Sequence, residues 1–507
     1  MVHLLVAALT LTALPVVLSA QLGSIKKVGI VGSGPAGLSL AAALQQLDSG
    51  CQEICIFEGR ESFLQPRMGG GVQLSGGAAV IAKLGFLPEL DRLAQPLQSI
   101  RARNAQSKEL LEVDVSALIQ ARAPGLVSPA GQPMFYSVMR DGLQKLLFDM
   151  SQAQPRSAAG STSQAANKAA VNVQVRKDVV GLEEDAATKK VTLIFGDGQR
   201  EGGFDMVFGA DGIKSAARDY VRGGGGAKDA DVRYTGIKIV YGVTGRDDDF
   251  SLRPGGRGAF WQWFGDSAYV LSASYGGLTG VQHMMAVVYR DKNRGGDTSV
   301  TTAADENAEW RSSAERSKKE KLRAFLARSG FTASSGLFSL LDACDEGRFV
   351  ELAVNDRSAP LLGWASASGR VVLLGDACHA MAPFLGQGAN QAIQDAFVLA
   401  SKVKRLNARA SSEISDLERL AWGISPLSPL QLAMLDYQRI RLLPTSIVSV
   451  KSNFLGAVET LGGSLGCFVR DNFFRFNNIA GIAKLVILSG ALPSIGEERP
   501  VGAPGSK

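Results

Sequence analysis

Two stretches of this chain hold residues whose types and spacing could bind and work on a polar ligand. The first is Gly32-Ser33-Gly34-Pro35-Ala36-Gly37. It follows an apolar run, Lys27–Val31, and precedes an Ala/Leu-rich helical pattern reaching about Leu47. A second apolar run, Glu53–Phe57, ends on Glu58. Strand, G-x-G-x-x-G, helix, strand and acid stand in the order of a dinucleotide-binding βαβ unit. Gly32 permits the tight turn, Gly34 lets the backbone approach a pyrophosphate, and Gly37 lets helix and strand pack closely. Glu58 falls about 20 residues on, where an acid accepts a ribose hydroxyl. A Gly-rich turn in an ordinary α/β core is the alternative, and it leaves Glu58 unexplained.

The second stretch is Gly369–Phe397. Val371–Leu374 reads as a buried strand, broken at Gly375-Asp376. A loop with Pro383, Gly386 and Gly388 leads to a helix from Asn390, with Ile393, Phe397 and Val398 at helical spacing. The helix start offers unpaired N–H groups and a positive dipole end. Asp376 can accept hydroxyl hydrogen bonds at the carboxyl end of its strand. A third strand-acid-glycine turn, Met206 to Gly212, leads through Ser215 to Arg218. Arg67, followed by Gly69-Gly70-Gly71, suits backbone packed on a flat or anionic ligand; a solvated loop is the alternative. Arg140 opens an amphipathic helix with Leu143, Leu146, Leu147 and Met150 on one face. A cation there opposes the dipole, so it calls for an anionic or carbonyl partner, or water.

These residues need a large scaffold, and 507 residues supply two or three domains. Net charge is +6 without a Lys/Arg block, which argues against a nucleic-acid partner and leaves room for an anionic membrane or cofactor. Five scattered cysteines suggest inert thiols rather than a disulfide or zinc framework. Residues 1–20 resemble a signal segment, with an apolar run Leu4–Leu18 and then Ser19-Ala20. This leads to the expectation of a membrane-associated protein in the secretory pathway or an organelle, with peripheral membrane contact.

Residues 99–133 read as irregular, and 151–170 as an inserted loop. Val171–Val175 and Val191–Phe195 read as a hairpin. From residue 231 the pattern is β-rich, with strands expected at Ile237–Val243, Ala259–Phe264, Ala268–Ser274 and Met284–Tyr289. Trp261 and Trp263 alternate and so share one face, lining an apolar cavity or serving as sheet core. Residues 291–320 read as a polar loop or solvated helix, followed by an amphipathic helix at Lys319–Leu326. Residues 405–425 read as a surface insertion, Leu430–Leu443 as a helix, and Ile479–Leu492 as a buried or interfacial helix.

Three motifs in one order, GxGxxG with Glu58, GADGxxS with Arg218, and GDACHxxxPFLGQGANQAIQDA, resemble those of the single-component FAD-dependent monooxygenases. Asn355 to Pro360 and Gly363-Trp364 resemble the approach to the third motif. The resemblance covers roughly residues 25–400. It implies an α/β fold: a Rossmann-type FAD-binding domain with an inserted β-rich substrate domain and C-terminal helices. The implied division is 25–98, 134–222 and 349–404 for FAD, 99–133 and 223–348 for substrate, and 405–507 helical. The resemblance places Gly32, Gly34, Ala36 and Gly37 at the pyrophosphate and Glu58 at the adenosine ribose. Arg67 would lie along the flavin, and Arg140 near the phosphates. Asp211 and Gly212 would serve FAD and NAD(P)H. Asp376 would take the ribityl hydroxyls, with Gly388, Ala389 and Asn390 at the isoalloxazine ring. His379 is expected to be structural. No catalytic acid or base carries over.

The implied reaction uses NADPH or NADH and O2 to hydroxylate or epoxidise a small apolar aromatic or alkene substrate, through a flavin C4a-hydroperoxide. Two other readings stand beside it. One is a flavin-binding regulatory protein without catalysis. The other is a flavin halogenase, prompted by Trp261-Gln262-Trp263 but lacking the Ile-Pro that follows in that group.

Overall fold

A computed structural model describes residues 24–64, 70–156, 168–224, 232–246, 258–291, 317–357, 363–410 and 427–496. The signal-like segment, Arg67 and most of the expected 291–320 and 405–425 insertions lie outside the described residues.

Strand Lys27–Val31 is apolar on both faces, as a central parallel strand must be. It lies between Met206–Gly209 and Glu53–Glu58, and both pairings are parallel. Val371–Leu373 and Ala170–Val175 complete a five-stranded parallel sheet. Helix Pro35–Gln46 packs against helices Arg140–Gln152 and Gly388–Ala410. Every residue from Ala36 to Gln46 is buried, which suits a helix whose polar residues are Ser39, Gln45 and Gln46 alone, the two glutamines donating to the carbonyl of Ala153. A three-stranded antiparallel sheet, Val179–Asp185, Lys190–Phe195 and Arg200–Phe204, adds a further layer. There Phe57 meets Phe195 and Phe204 at centroid distances of 5.4 and 5.8 Å. The expected hairpin of 171–175 with 191–195 therefore does not form. The first run is the edge of the parallel sheet, and the second pairs with Val179–Asp185. Both are short β-branched runs, and pairing partners cannot be told from such local pattern.

The second large sheet has seven strands in the order Val350–Arg357, Val232–Arg246, Gln282–Arg290, Ala268–Tyr275, Ala259–Phe264, Ser99–Asn104, Glu109–Asp114. Its last two strands come from the stretch expected to be irregular. Arg101 and Arg103 hid the first of them. Both guanidinium groups lie over the Trp261 ring, at 5.4 and 4.7 Å, so these strand positions are half-buried although charged. Asp114 then caps helix Val115–Arg122 by accepting from the Ala117 N–H at 2.9 Å.

Alternation gives the sheet two faces. Trp261 and Trp263 stack at 5.4 Å within a core that includes Leu322, Leu326 and Leu340. They are sheet core under helices Lys318–Arg328 and Leu337–Ala343, not the wall of a cavity. The opposite face carries Tyr241, Phe260, Leu271 and Met284.

The chain ends in helices Pro429–Glu459, Gly463–Ile479 and Ile482–Ala491. The first runs through Pro444, past the end expected at Leu443. Around the proline, Thr445 and Ser446 hydroxyls donate to the carbonyls of Arg441 and Leu442 at 2.8 and 2.6 Å. Among the described residues, no helix is long and apolar enough to cross a membrane. All five cysteines are free, and burial pushes the Cys51 and Cys344 thiols up to about 11 and 12, as expected of inert groups.

Candidate cofactor and substrate site

Parallel register brings the motifs together. Val31 is paired with Gly209 and with Phe57, and Gly209 with Leu373. The glycine loop, Glu58, the Asp211 turn and the Asp376 turn therefore leave one edge of one sheet, at the carboxyl ends of its strands. The contacts are close. A methyl on Gly32, whose φ is +98°, would lie 2.5 Å from the Ala210 carbonyl oxygen. A methyl on Gly37 would lie 2.0 Å from the carbonyl oxygen of Gly32. Ala36 comes within 2.9 Å of where a Gly375 side chain would start.

Gly34, Gly212 and Gly388 differ from these. A Cβ placed there would meet nothing within 4 Å beyond its own chain neighbours. Gly34 stands at the start of helix Pro35–Gln46, and Gly388 opens the 23-residue helix Gly388–Ala410. Each presents bare backbone to open space, at a helix N-terminus with positive dipole. This is the shape needed by a phosphate-bearing planar cofactor, and the residues fit FAD on that ground.

The charged residues agree. Asp376 is open to solvent yet sits deep enough that burial raises its carboxyl above the ordinary range, against the pull of His379, Arg140 and Arg357. An acid both exposed and enclosed lines a cleft. Arg140 opens its helix half-buried, with its guanidinium lowered by burial and by Arg60 and raised by Asp376, Tyr241 and Glu58. Among the described residues no carboxylate pairs with it, which leaves a desolvated cation for an anionic ligand. Gln144, one turn on, donates to the Ser33 carbonyl at 3.3 Å and ties this helix to the glycine loop.

Other predicted residues are committed to the protein. Glu58 accepts from the Ser33 N–H at 3.2 Å and hydroxyl at 2.5 Å, and from the Arg60 N–H at 3.0 Å, so it braces the glycine loop. Asp211 accepts from the Ser215 hydroxyl at 2.5 Å and the Ala217 N–H at 3.2 Å. Burial raises its carboxyl despite those bonds. Asn390 is fully buried, so its side chain cannot touch a flavin ring. It accepts from Ser75 and Gly77 N–H at 2.8 and 3.0 Å and donates to the Gln73 carbonyl at 2.7 Å. It fastens the Pro383–Asn390 loop to strand Gly71–Leu74, leaving the backbone at Gly388 and the half-buried Ala389 to face a ligand. Arg218, fully buried, donates to the carbonyls of Ala377 and Cys378 at 2.9 and 3.2 Å and anchors the Asp376 turn.

His379 is structural, as expected. Its Nε2 lies 2.6 Å from Asp395, whose other oxygen accepts from Arg441 Nε at 2.7 Å. Burial alone would lower the imidazole, but Cys378 and the Asp395 carboxylate outweigh it and hold it well above the usual range. Asp395 and Arg441 were missed by sequence reasoning. An acid inside a helical pattern looks like solvent-facing charge, and its partner lies 46 residues away.

The opposite wall was also missed. The would-be side chain of Gly70 meets Tyr241 and Met284, and that of Gly71 meets Tyr275 at 2.0 Å. Gln73 donates to the Tyr275 hydroxyl at 2.5 Å. The face of the seven-stranded sheet carrying Tyr241, Phe260, Leu271 and Met284 thus closes over strand Gly71–Leu74. Only the alternation within each strand could have signalled it. Phe384 packs from the loop side against Gly456.

Glu459 ends the long helix and lies buried behind this wall, accepting from Gln262 Nε2 at 3.1 Å. Burial pushes its carboxyl up to about 8, with bonds from Tyr269 and Gln262 pulling the other way. The folded state therefore holds a proton that the unfolded chain releases near 4.5. Stability should fall as pH rises from there through about 8. Glu459→Gln is expected to flatten that fall, seen in melting temperature between weakly acidic and alkaline buffer. An unchanged slope would contradict it.

Comparison with known proteins agrees with this geometry. A family model described as "FAD binding domain" matches residues 364–417. The 3-amino-4-hydroxybenzoate 2-monooxygenase of Streptomyces platensis is 28% identical over 74% of this chain and 78% of its own length. The salicylate hydroxylase of Pseudomonas putida is 28% identical over 77% of this chain and 80% of its own. In fold, the chain is similar to Klebsiella pneumoniae HpxO, solved with FAD and uric acid, with a TM-score of 0.64, 21% identity, and coverage of 92% and 97%. The three motifs converge on one sheet edge, and over most of its length the chain is similar to FAD-dependent monooxygenases.

Proposed function

We propose that this enzyme takes reducing equivalents from NADPH or NADH and uses O2 to hydroxylate or epoxidise a small apolar aromatic or alkene substrate. One observation carries the reading. The bare backbone at Gly34, Gly212 and Gly388 leaves the same sheet edge as the Asp376 turn, Arg140 lies within electrostatic reach of Asp376 and Glu58, and the neighbouring sheet face is aromatic and aliphatic.

Bound FAD supplies the redox chemistry and the activation of oxygen. The chain's own residues bind, orient and shield. The N–H groups around Gly34 and the Arg140 guanidinium suit the pyrophosphate, and the Asp376 carboxylate suits the hydroxyls of the ribityl chain. The dipole of helix Gly388–Ala410 favours negative charge at its N-terminus, where the ring system would be reduced. Tyr241, Phe260, Leu271 and Met284 keep water from the far side, which protects reactive oxygen species from wasteful breakdown. Burial pushes the Tyr241 phenol up to about 12. It stays protonated at neutral pH and can orient a substrate oxygen by donating a hydrogen bond, but it cannot act as a base. Relatives named for aminohydroxybenzoate and salicylate support an aromatic substrate.

A panel of aromatic and alkene compounds should contain members that accelerate NAD(P)H oxidation by the flavin-loaded enzyme and reduce its peroxide release. Oxidation that no compound stimulates, with all the oxygen leaving as peroxide, would count against a monooxygenase.

A further inference from the structure

We propose that the outer face of the three C-terminal helices docks on an anionic lipid bilayer, lying on its surface. Thirteen of the sixteen exposed large apolar side chains among the described residues fall between Leu435 and Leu492. They form stripes. Leu443, Ile447, Val450 and Phe454 recur at helical spacing along Pro429–Glu459. Gly463–Ile479 exposes Phe468 at 67% and Ile479 at 86%. The helices touch at points along these stripes. Phe454 meets Phe473 edge-to-face at 5.9 Å, and Lys451 donates to the Ser489 hydroxyl of the last helix at 2.7 Å. Soluble monomers rarely expose contiguous apolar patches beyond a few hundred Å².

Charge selects the occupant. Along Leu435–Leu492 the carboxylates are Asp436, which pairs with Lys402, Glu459, which is buried, and Asp471, which pairs with Arg470. Lys451, Arg475 and Lys484 have no carboxylate partner among the described residues. Apolar stripes flanked by cations are the pattern of helices lying in an anionic interface. A two-fold pairing of this face with itself would bring like charges together. No described helix is built to cross, which fits lying on the surface.

The test is co-sedimentation of the full chain with phosphatidylcholine vesicles, with and without phosphatidylglycerol. The unaltered protein should pellet with the anionic vesicles. The double variant Phe468→Ser/Ile479→Ser should lose about tenfold or more in binding while keeping its flavin spectrum. Lys484→Glu, at an exposed position, should weaken binding to anionic vesicles more than to neutral ones, and it decides the matter if the double variant fails to fold. Two results overturn the proposal. One is undiminished sedimentation of these variants, which would assign lipid binding elsewhere, such as Leu4–Leu18. The other is vesicle-independent self-association that the double variant abolishes, which would make a second copy the occupant.

Discussion

Replacing Gly34 with valine is expected to yield a folded protein that retains no flavin. A Cβ at this position meets no atom within 4 Å outside its chain neighbours, so the substitution is expected to leave the fold intact. What the side chain would fill is the open space proposed above for the pyrophosphate. The expected loss in FAD affinity is at least a hundredfold, from steric exclusion together with lost N–H contacts of about 1.5–3 kcal/mol for each bond to a charged group. Gly37→Val is the control with the opposite signature. Its side chain would start 2.0 Å from the Gly32 carbonyl oxygen, and backbone cannot yield by that much. It should fail to fold. The visible spectrum, the far-UV circular dichroism and the melting temperature of the two variants separate these outcomes. A yellow Gly34→Val protein with ordinary flavin content would show that the open space at this loop is not the cofactor's.

Arg441→Met should cost about 3–5 kcal/mol of stability, as breaking one side of a buried ion pair does. Arg441 is fully buried on the long C-terminal helix. Its guanidinium donates to Asp395 at 2.7 Å, to Gln391 Oε1 at 2.6 Å and to the Ser494 carbonyl at 2.7 Å. Methionine matches the length of the side chain and leaves the Asp395 carboxylate with His379 as its remaining cationic partner. The effect should reach the cofactor, because Gln391 and Asp395 lie on the first two turns of helix Gly388–Ala410. Flavin should therefore dissociate more readily as well, read by equilibrium dialysis beside denaturant unfolding. Arg441→Lys should recover only part of the loss, since one ammonium cannot replace a planar fork of donors. An unchanged unfolding midpoint for Arg441→Met would show that the triad is not holding the helix.

The parts of the fold legible in the sequence were those with local signatures. The βαβ unit at Lys27–Glu58 and the strand-turn-helix at Val371–Ala410 each carry their own turn glycines, an acid and a change of hydrophobic period. Their convergence on one sheet edge follows from parallel pairing at the carboxyl ends of adjacent strands. Long-range pairing was not legible. Val191–Phe195 found a partner at Val179–Asp185 rather than at the run expected. Ser99–Asn104 was hidden because a cation–π stack lets two arginines occupy a strand. Trp261 and Trp263 shared a face as alternation required, but alternation does not say which face is the core. Asn390 shows the same limit at the scale of one residue. Its place between the Gly/Pro loop and its helix was readable, whereas its three bonds to Gln73, Ser75 and Gly77, more than 300 positions away in the chain, were not.

The most direct test of a flavin monooxygenase is the fate of the oxygen atoms. The flavin-loaded enzyme would be supplied with NADPH or NADH, with isotopically labelled dioxygen, and with the compound that most accelerates pyridine-nucleotide oxidation. The product should gain one labelled oxygen atom, the other leaving as water, and its amount should track the NAD(P)H consumed. A product carrying two labelled atoms, or oxygen drawn from the solvent, would contradict the assignment.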